Sequence, residues 1–135
     1  MMLKTLLFLP ILFLFFLIPP ASEPNPEKAA LAEYAVICLY NNTDYDITYE
    51  YNWGIGETQI NTIHPGSTNR HWWAYPSQDH VSPAFHLSYD EDPSPYKHQR
   101  SVDLDRYRSN DTSCEGAKEH TFDFSVGQIS IHALN

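Results

Sequence analysis

Residues Ile47 to Trp53 (ITYEYNW) alternate without a break: Ile47, Tyr49, Tyr51 and Trp53 fall on one side, Thr48, Glu50 and Asn52 on the other. Successive side chains of an extended strand point to opposite faces, so this text suits a sheet with one dry and one wet face and does not suit a helix. From Tyr34 onward the same kind of text recurs, with β-branched and aromatic runs separated by clusters of Asn, Asp, Gly, Pro and Ser. No segment keeps a helical period over three turns.

Eight strands are expected: Tyr34 to Tyr40, Ile47 to Trp53, Thr58 to Ile63, Asn69 to Tyr75, Ala84 to Tyr89, Ser101 to Tyr107, His120 to Val126 and Gln128 to Leu134. The first (YAVICLY) is apolar throughout, which predicts a central strand buried on both faces. Asn41-Asn42-Thr43-Asp44, Gly54-Ile55-Gly56 and His64-Pro65-Gly66-Ser67 supply turn chemistry between strands. The expected fold is all-β, a small antiparallel β-sandwich or a closed barrel.

Ahead of this domain, Met1 to Lys4 and the apolar run Leu6 to Ile18 form the basic and apolar regions of a signal peptide. The run has 13 residues, against the roughly 20 needed to span a bilayer. Residues 1–21 read as signal peptide, with cleavage after Ala21 or Ser22, residues 22–33 as a flexible leader, and 34–135 as the domain. Ala30-Leu31-Ala32 is a second, more distant cleavage site. The chain is therefore expected to be secreted or periplasmic, with no transmembrane segment once mature. In such a compartment its two cysteines, Cys38 and Cys114, are expected to form a disulfide.

Loss of Lys4 with the signal peptide leaves 7 Lys and Arg against 17 Asp and Glu, a net charge of −10 with neutral histidine. That balance argues against nucleic acid or anionic lipid as main partner, since both require a cationic face. Catalytic signatures are missing as well: there is no G-x-S-x-G and no glycine-rich phosphate loop in a chain with 5 glycines.

The densest chemistry lies in Asn69 to Pro76 (NRHWWAYP). Neighbours on a strand face opposite ways, so Trp72 and Trp73 cannot share a core. The plainer expectation buries both, one in the core and one beneath the loop at Asp90. The alternative exposes an aromatic platform, with Arg70, His71, Trp72, Trp73 and Tyr75 as candidate ligand-binding residues for a protein, glycan or lipid. The 7 histidines show no HxH, HxxH or HExxH spacing, so no metal or other cofactor is expected. Asp90-Glu91-Asp92 and Asp103-x-Asp105 read as solvated acidic loops more readily than as calcium sites. Asn41-Asn42-Thr43 and Asn110-Asp111-Thr112 match the N-glycosylation pattern and also serve as turn formers.

A strand ending in Asn-x-Thr, the alternating ITYEYNW and the HPGS turn before an aromatic strand resemble the opening of small secreted β-sandwich families, including aegerolysin-like and thaumatin-like proteins. The resemblance covers Val36 to Tyr89 and implies the sandwich, with no activity attached. The leading expectation is a non-enzymatic binding module using the aromatic strand. The alternatives are a small hydrolase or metal-dependent enzyme assembled from His71, His86 and Asp90, and a membrane-active toxin.

Overall fold

The computed structural model describes residues 33–94 and 97–134. The expected signal peptide, 1–21, and the leader up to residue 32 lie outside the described residues. Nine strands follow in order: β1 (Tyr34–Asn41), β2 (Ile47–Trp53), β3 (Gln59–Ile63), β4 (Thr68–Ala74), β5 (Phe85–Asp90), β6 (Gln99–Leu104), β7 (Tyr107–Ser109), β8 (Glu119–Ser125) and β9 (Gln128–Ala133). They form two sheets that pack face to face as a sandwich and do not close into a barrel. Among the described residues no helix is long and apolar enough to cross a membrane.

The first sheet runs β4-β1-β8-β9, with β7 beside β1; the second runs β3-β2-β5-β6. β1 uses both of its edges. One pairs with β4; the other pairs with β7 over Tyr34 to Val36 and then with β8 over Cys38 to Asn41. The β1–β8 pairing is parallel, a departure from the antiparallel arrangement expected from the sequence. Ile37, Leu39, Phe122 and Ile129 from the first sheet meet Ile47, Tyr49, Ile63, Phe85, Leu87, Tyr89 and Leu104 from the second, and together they form the core.

Val36 and Cys38 lie on the other side of β1 and are buried too. Cys38 is bonded there to Cys114 in the segment joining β7 to β8, with the two Cα atoms 5.9 Å apart. The bridge spans 76 residues of sequence; closing such a loop contributes about 4 to 5 kcal/mol in the chain-entropy account. β1 is thus covered on both faces, as its unbroken apolar text requires.

Asn41 ends β1 as a hub. Its amide donates to the carbonyls of Tyr45 (2.7 Å) and Ile63 (3.0 Å), and its oxygen accepts from the backbone N–H (2.9 Å) and hydroxyl (2.7 Å) of Thr43. Fully buried and with both amide hydrogens engaged, it is a structural residue and not an available glycan acceptor, whereas Asn110 is exposed.

Two strand expectations are corrected. Ser101 to Tyr107 is not one strand: β6 ends at Leu104 in the second sheet and β7 starts at Tyr107 in the first. The crossover is held by Asp105, whose carbonyl meets His120 Nε2 at 3.0 Å, and by Arg106, whose Nε donates to Ser82 Oγ at 3.0 Å. Val126 is not a strand residue, since β8 ends at Ser125. It occupies the two-residue turn between Ser125 and Gln128, fully exposed, with φ of 53° beside Gly127 at 79°.

Turns with two left-handed residues favour Asn-Gly, and a β-branched side chain there is strained. Replacing Val126 with Asn should therefore raise the unfolding free energy by about 1 kcal/mol, as measured by urea denaturation. An unchanged or lowered midpoint would contradict the assigned turn.

Candidate functional site

The register of β4 sorts the candidate residues. Arg70 and Trp72 sit opposite Cys38 and Val36 and share their outward face, while His71 and Trp73 sit opposite Ile37 and Ala35 and face inward. The expected ligand-binding cluster is therefore divided, and burial of both tryptophans does not occur. Trp72 is 48% exposed, with the Arg70 guanidinium 5.8 Å from its ring centre. Trp73 is half-buried and packs edge-on against Tyr75 at 5.2 Å, away from the loop at Asp90. Tyr75 in turn lies under the guanidinium of Arg108 at 4.3 Å.

His71 is 6% exposed and belongs to an aromatic interior. Its ring lies 4.0 Å from that of Tyr51 and stacks on Phe85 at 5.6 Å, centre to centre. Tyr49 Oη sits 2.7 Å from His71 Nε2 and accepts a 3.0 Å hydrogen bond from Asn69 Nδ2. A neutral imidazole holds this bond through Nε2, as acceptor from the tyrosine hydroxyl in one tautomer and as donor to it in the other. Burial pushes His71 down to about 4 and Tyr49 up to about 12.

β3 supplies residues that the sequence reading did not single out. Gln59 and Asn61 pair with Tyr51 and Tyr49 and so take the inward face of the second sheet, yet both are exposed. Ile60, on the outward face, is exposed as well. At this side of the sandwich the space between the sheets stays open. Tyr51, Trp53, Gln59 and Asn61 line it from the second sheet, and Arg70, His71 and Trp72 from β4, around a groove of about 340 Å³. Tyr51 Oη donates to Gln59 Oε1 at 2.8 Å, and Asn61 Oδ1 accepts the N–H of Thr62 at 2.8 Å. Each amide has its oxygen engaged and its NH₂ left to donate.

Larger depressions lie along the outer face of the second sheet, one of about 530 Å³ around Glu50, His86, Ser88, Ser101 and Asp103. Several of the polar side chains along this face pair with one another. His86 Nδ1 pairs with Asp103, Ser88 Oγ meets Ser101 Oγ at 3.0 Å, and Gln99 donates to Ser88 at 2.9 Å.

His71, His86 and Asp90 are not brought together, since His71 faces the interior while His86 and Asp90 share rows on the second sheet's outer side. Asp90 Oδ1 instead accepts the backbone N–H groups of Asp92 (3.1 Å) and His98 (2.9 Å). Glu91 is buried and pairs with His98 and with Arg100, the latter at 3.4 Å. Hydrogen bonds from Ser94 hold the Asp92 carboxyl below its usual range. Among the described residues no group of three or more His, Cys, Asp or Glu is arranged to hold a metal ion.

Comparison with protein-family models, with curated proteins and with solved structures finds no match to this chain.

Because His71 is neutral when folded and titrates near 6.5 when unfolded, its contribution is complete above pH 6.5 and is lost as pH falls toward 4. The difference in unfolding free energy between the wild type and His71→Gln should shrink by about 3 kcal/mol between pH 7 and pH 4, followed by urea denaturation at each pH. A constant difference would show that His71 is not held neutral by burial.

Proposed function

We propose that this chain is an exported, non-enzymatic binding module whose ligand, a neutral sugar, lies in the groove beside Trp72. The observation that carries this reading is a tryptophan left half exposed at the rim of a groove whose other wall offers aromatic rings and unpaired amide donors. A pyranose ring presents C–H faces that stack on an indole and hydroxyls that accept from NH₂ groups, so aromatic and amide groups side by side match both of its surfaces. Arg70 adds a further donor at the rim, with its guanidinium 5.8 Å from the indole ring centre.

A lipid surface or an apolar peptide would leave the NH₂ groups of Gln59 and Asn61 desolvated without partners, at a cost of about 1 to 3 kcal/mol each. Export is supported by the apolar segment before Pro19 and by the Cys38–Cys114 disulfide, which persists in oxidising compartments.

Trp72→Ala removes no core contact and should leave the melting temperature close to wild type. In a glycan-array screen followed by calorimetric titration, it should weaken the best neutral ligand by about tenfold or more. Unaltered affinity in a folded Trp72→Ala variant would contradict the assignment, as would unfolding of that variant.

A further inference from the structure

Beyond the end of β4 the chain gathers positive charge that it does not neutralise. The described lysines and arginines are Arg70, Lys97, Arg100, Arg106, Arg108 and Lys118. Half of them, Arg106, Arg108 and Lys118, line a single groove of about 440 Å³ beside β7. Asp105 is the one carboxylate in its lining. Among the described residues none of these three cations forms an ion pair, in a chain with 17 acidic residues and a net charge of −9.

Neutral groups hold the guanidinium ions in place instead. Arg106 donates through Nε and Nη2 to the hydroxyl and carbonyl of Ser82, at 3.0 and 3.2 Å. Arg108 donates through Nη2 to the carbonyls of Gln78 (3.5 Å) and His80 (3.3 Å) and lies over the ring of Tyr75. Such contacts orient a guanidinium without cancelling its charge, and they leave other N–H groups of each arginine to donate. His80 Nδ1 is engaged by Ser77 Oγ at 2.7 Å, and His80 also lines the groove.

We propose that this groove binds a tetrahedral oxyanion, the phosphate or sulfate monoester of a small molecule, between Arg106, Arg108 and Lys118. Preoriented guanidinium ions with an ammonium beside them match the several oxygens of such a group. The site is separate from the groove at Trp72, so the two readings stand or fall independently.

The test is a titration of the purified oxidised protein with inorganic phosphate and sulfate at low ionic strength, followed by amide chemical shifts, in wild type, Lys118→Glu and Lys97→Glu. Lys118 is exposed and holds no other element in place, so its variant should keep the wild-type circular dichroism. Saturable shifts around Arg106 to Arg108 are expected, weakened about tenfold by Lys118→Glu and little changed by Lys97→Glu, which alters net charge equally at a distant loop.

Absence of saturable shifts would overturn the proposal. So would an equal loss in both variants, which would mark a bulk charge effect, or no loss in Lys118→Glu. Glycerol 3-phosphate and phosphatidic acid in phosphatidylcholine vesicles then separate the sources. Binding of the first alone supports a free ester, and co-sedimentation with the vesicles supports the same group carried on lipid.

Discussion

The disulfide between Cys38 and Cys114 crosses the outer face of β1, the strand to which β4, β7 and β8 are all paired. β1 has partners along both edges and cover on both faces, so its hydrogen-bonding groups and its apolar side chains are all consumed. The β7–β8 connection must leave the sheet plane and return for β8 to lie parallel to β1, and the bridge fixes that excursion on the face of β1 that carries Cys38. A domain of this size buries a modest core, so a constraint on its longest-range loop weighs heavily in its stability. β4, which carries the candidate site, has β1 as its partner and inherits its position from this arrangement.

The groove follows from a polarity inversion on β3. A sandwich closed at its sides would place apolar residues at the inward positions of every strand, as β2 and β5 do. β3 places Gln59 and Asn61 there and turns Ile60 outward, so the second sheet cannot be covered at this side without stranding two amides. Across the gap, β4 contributes Trp72 from its outer face, while inward-facing His71 closes the floor by packing on Tyr51 and Phe85. The cationic groove beside β7 has another origin. The crossover from the second sheet to the first brings Arg106 and Arg108 against the carbonyl-rich connection after β4, where they tie down the loop.

Much of the fold was legible because its signals are local. The alternation of ITYEYNW marks β2 at its observed limits, and the unbroken YAVICLY marks a strand covered on both faces. The two cysteines pair as expected.

What escaped depends on the partner surface and not on the strand's own text. Ser101 to Tyr107 reads as one strand because a change of sheet within two residues leaves no turn signal at Asp105-Arg106. Val126 reads as a strand residue because a valine at a left-handed position runs against its own propensity. That Trp72 and Trp73 face opposite ways follows from the strand itself, but which of the two met the core depended on the register with β1. Gln59 and Asn61 did carry a signal, as polar residues two apart on the face that ends in Ile63, and it becomes informative only once that face is known to point inward.

The most direct test of the central claim, that the open side between β3 and β4 is the ligand site, is a nitrogen-resolved NMR titration of the oxidised domain with neutral oligosaccharides, read at side-chain as well as backbone nitrogens. The account predicts saturable shifts at the Gln59 and Asn61 NH₂ groups and the Trp72 indole N–H, with the buried β5 strand unmoved. Shifts confined to the outer face around His86 and Ser101, or binding without any response from these three side chains, would contradict it.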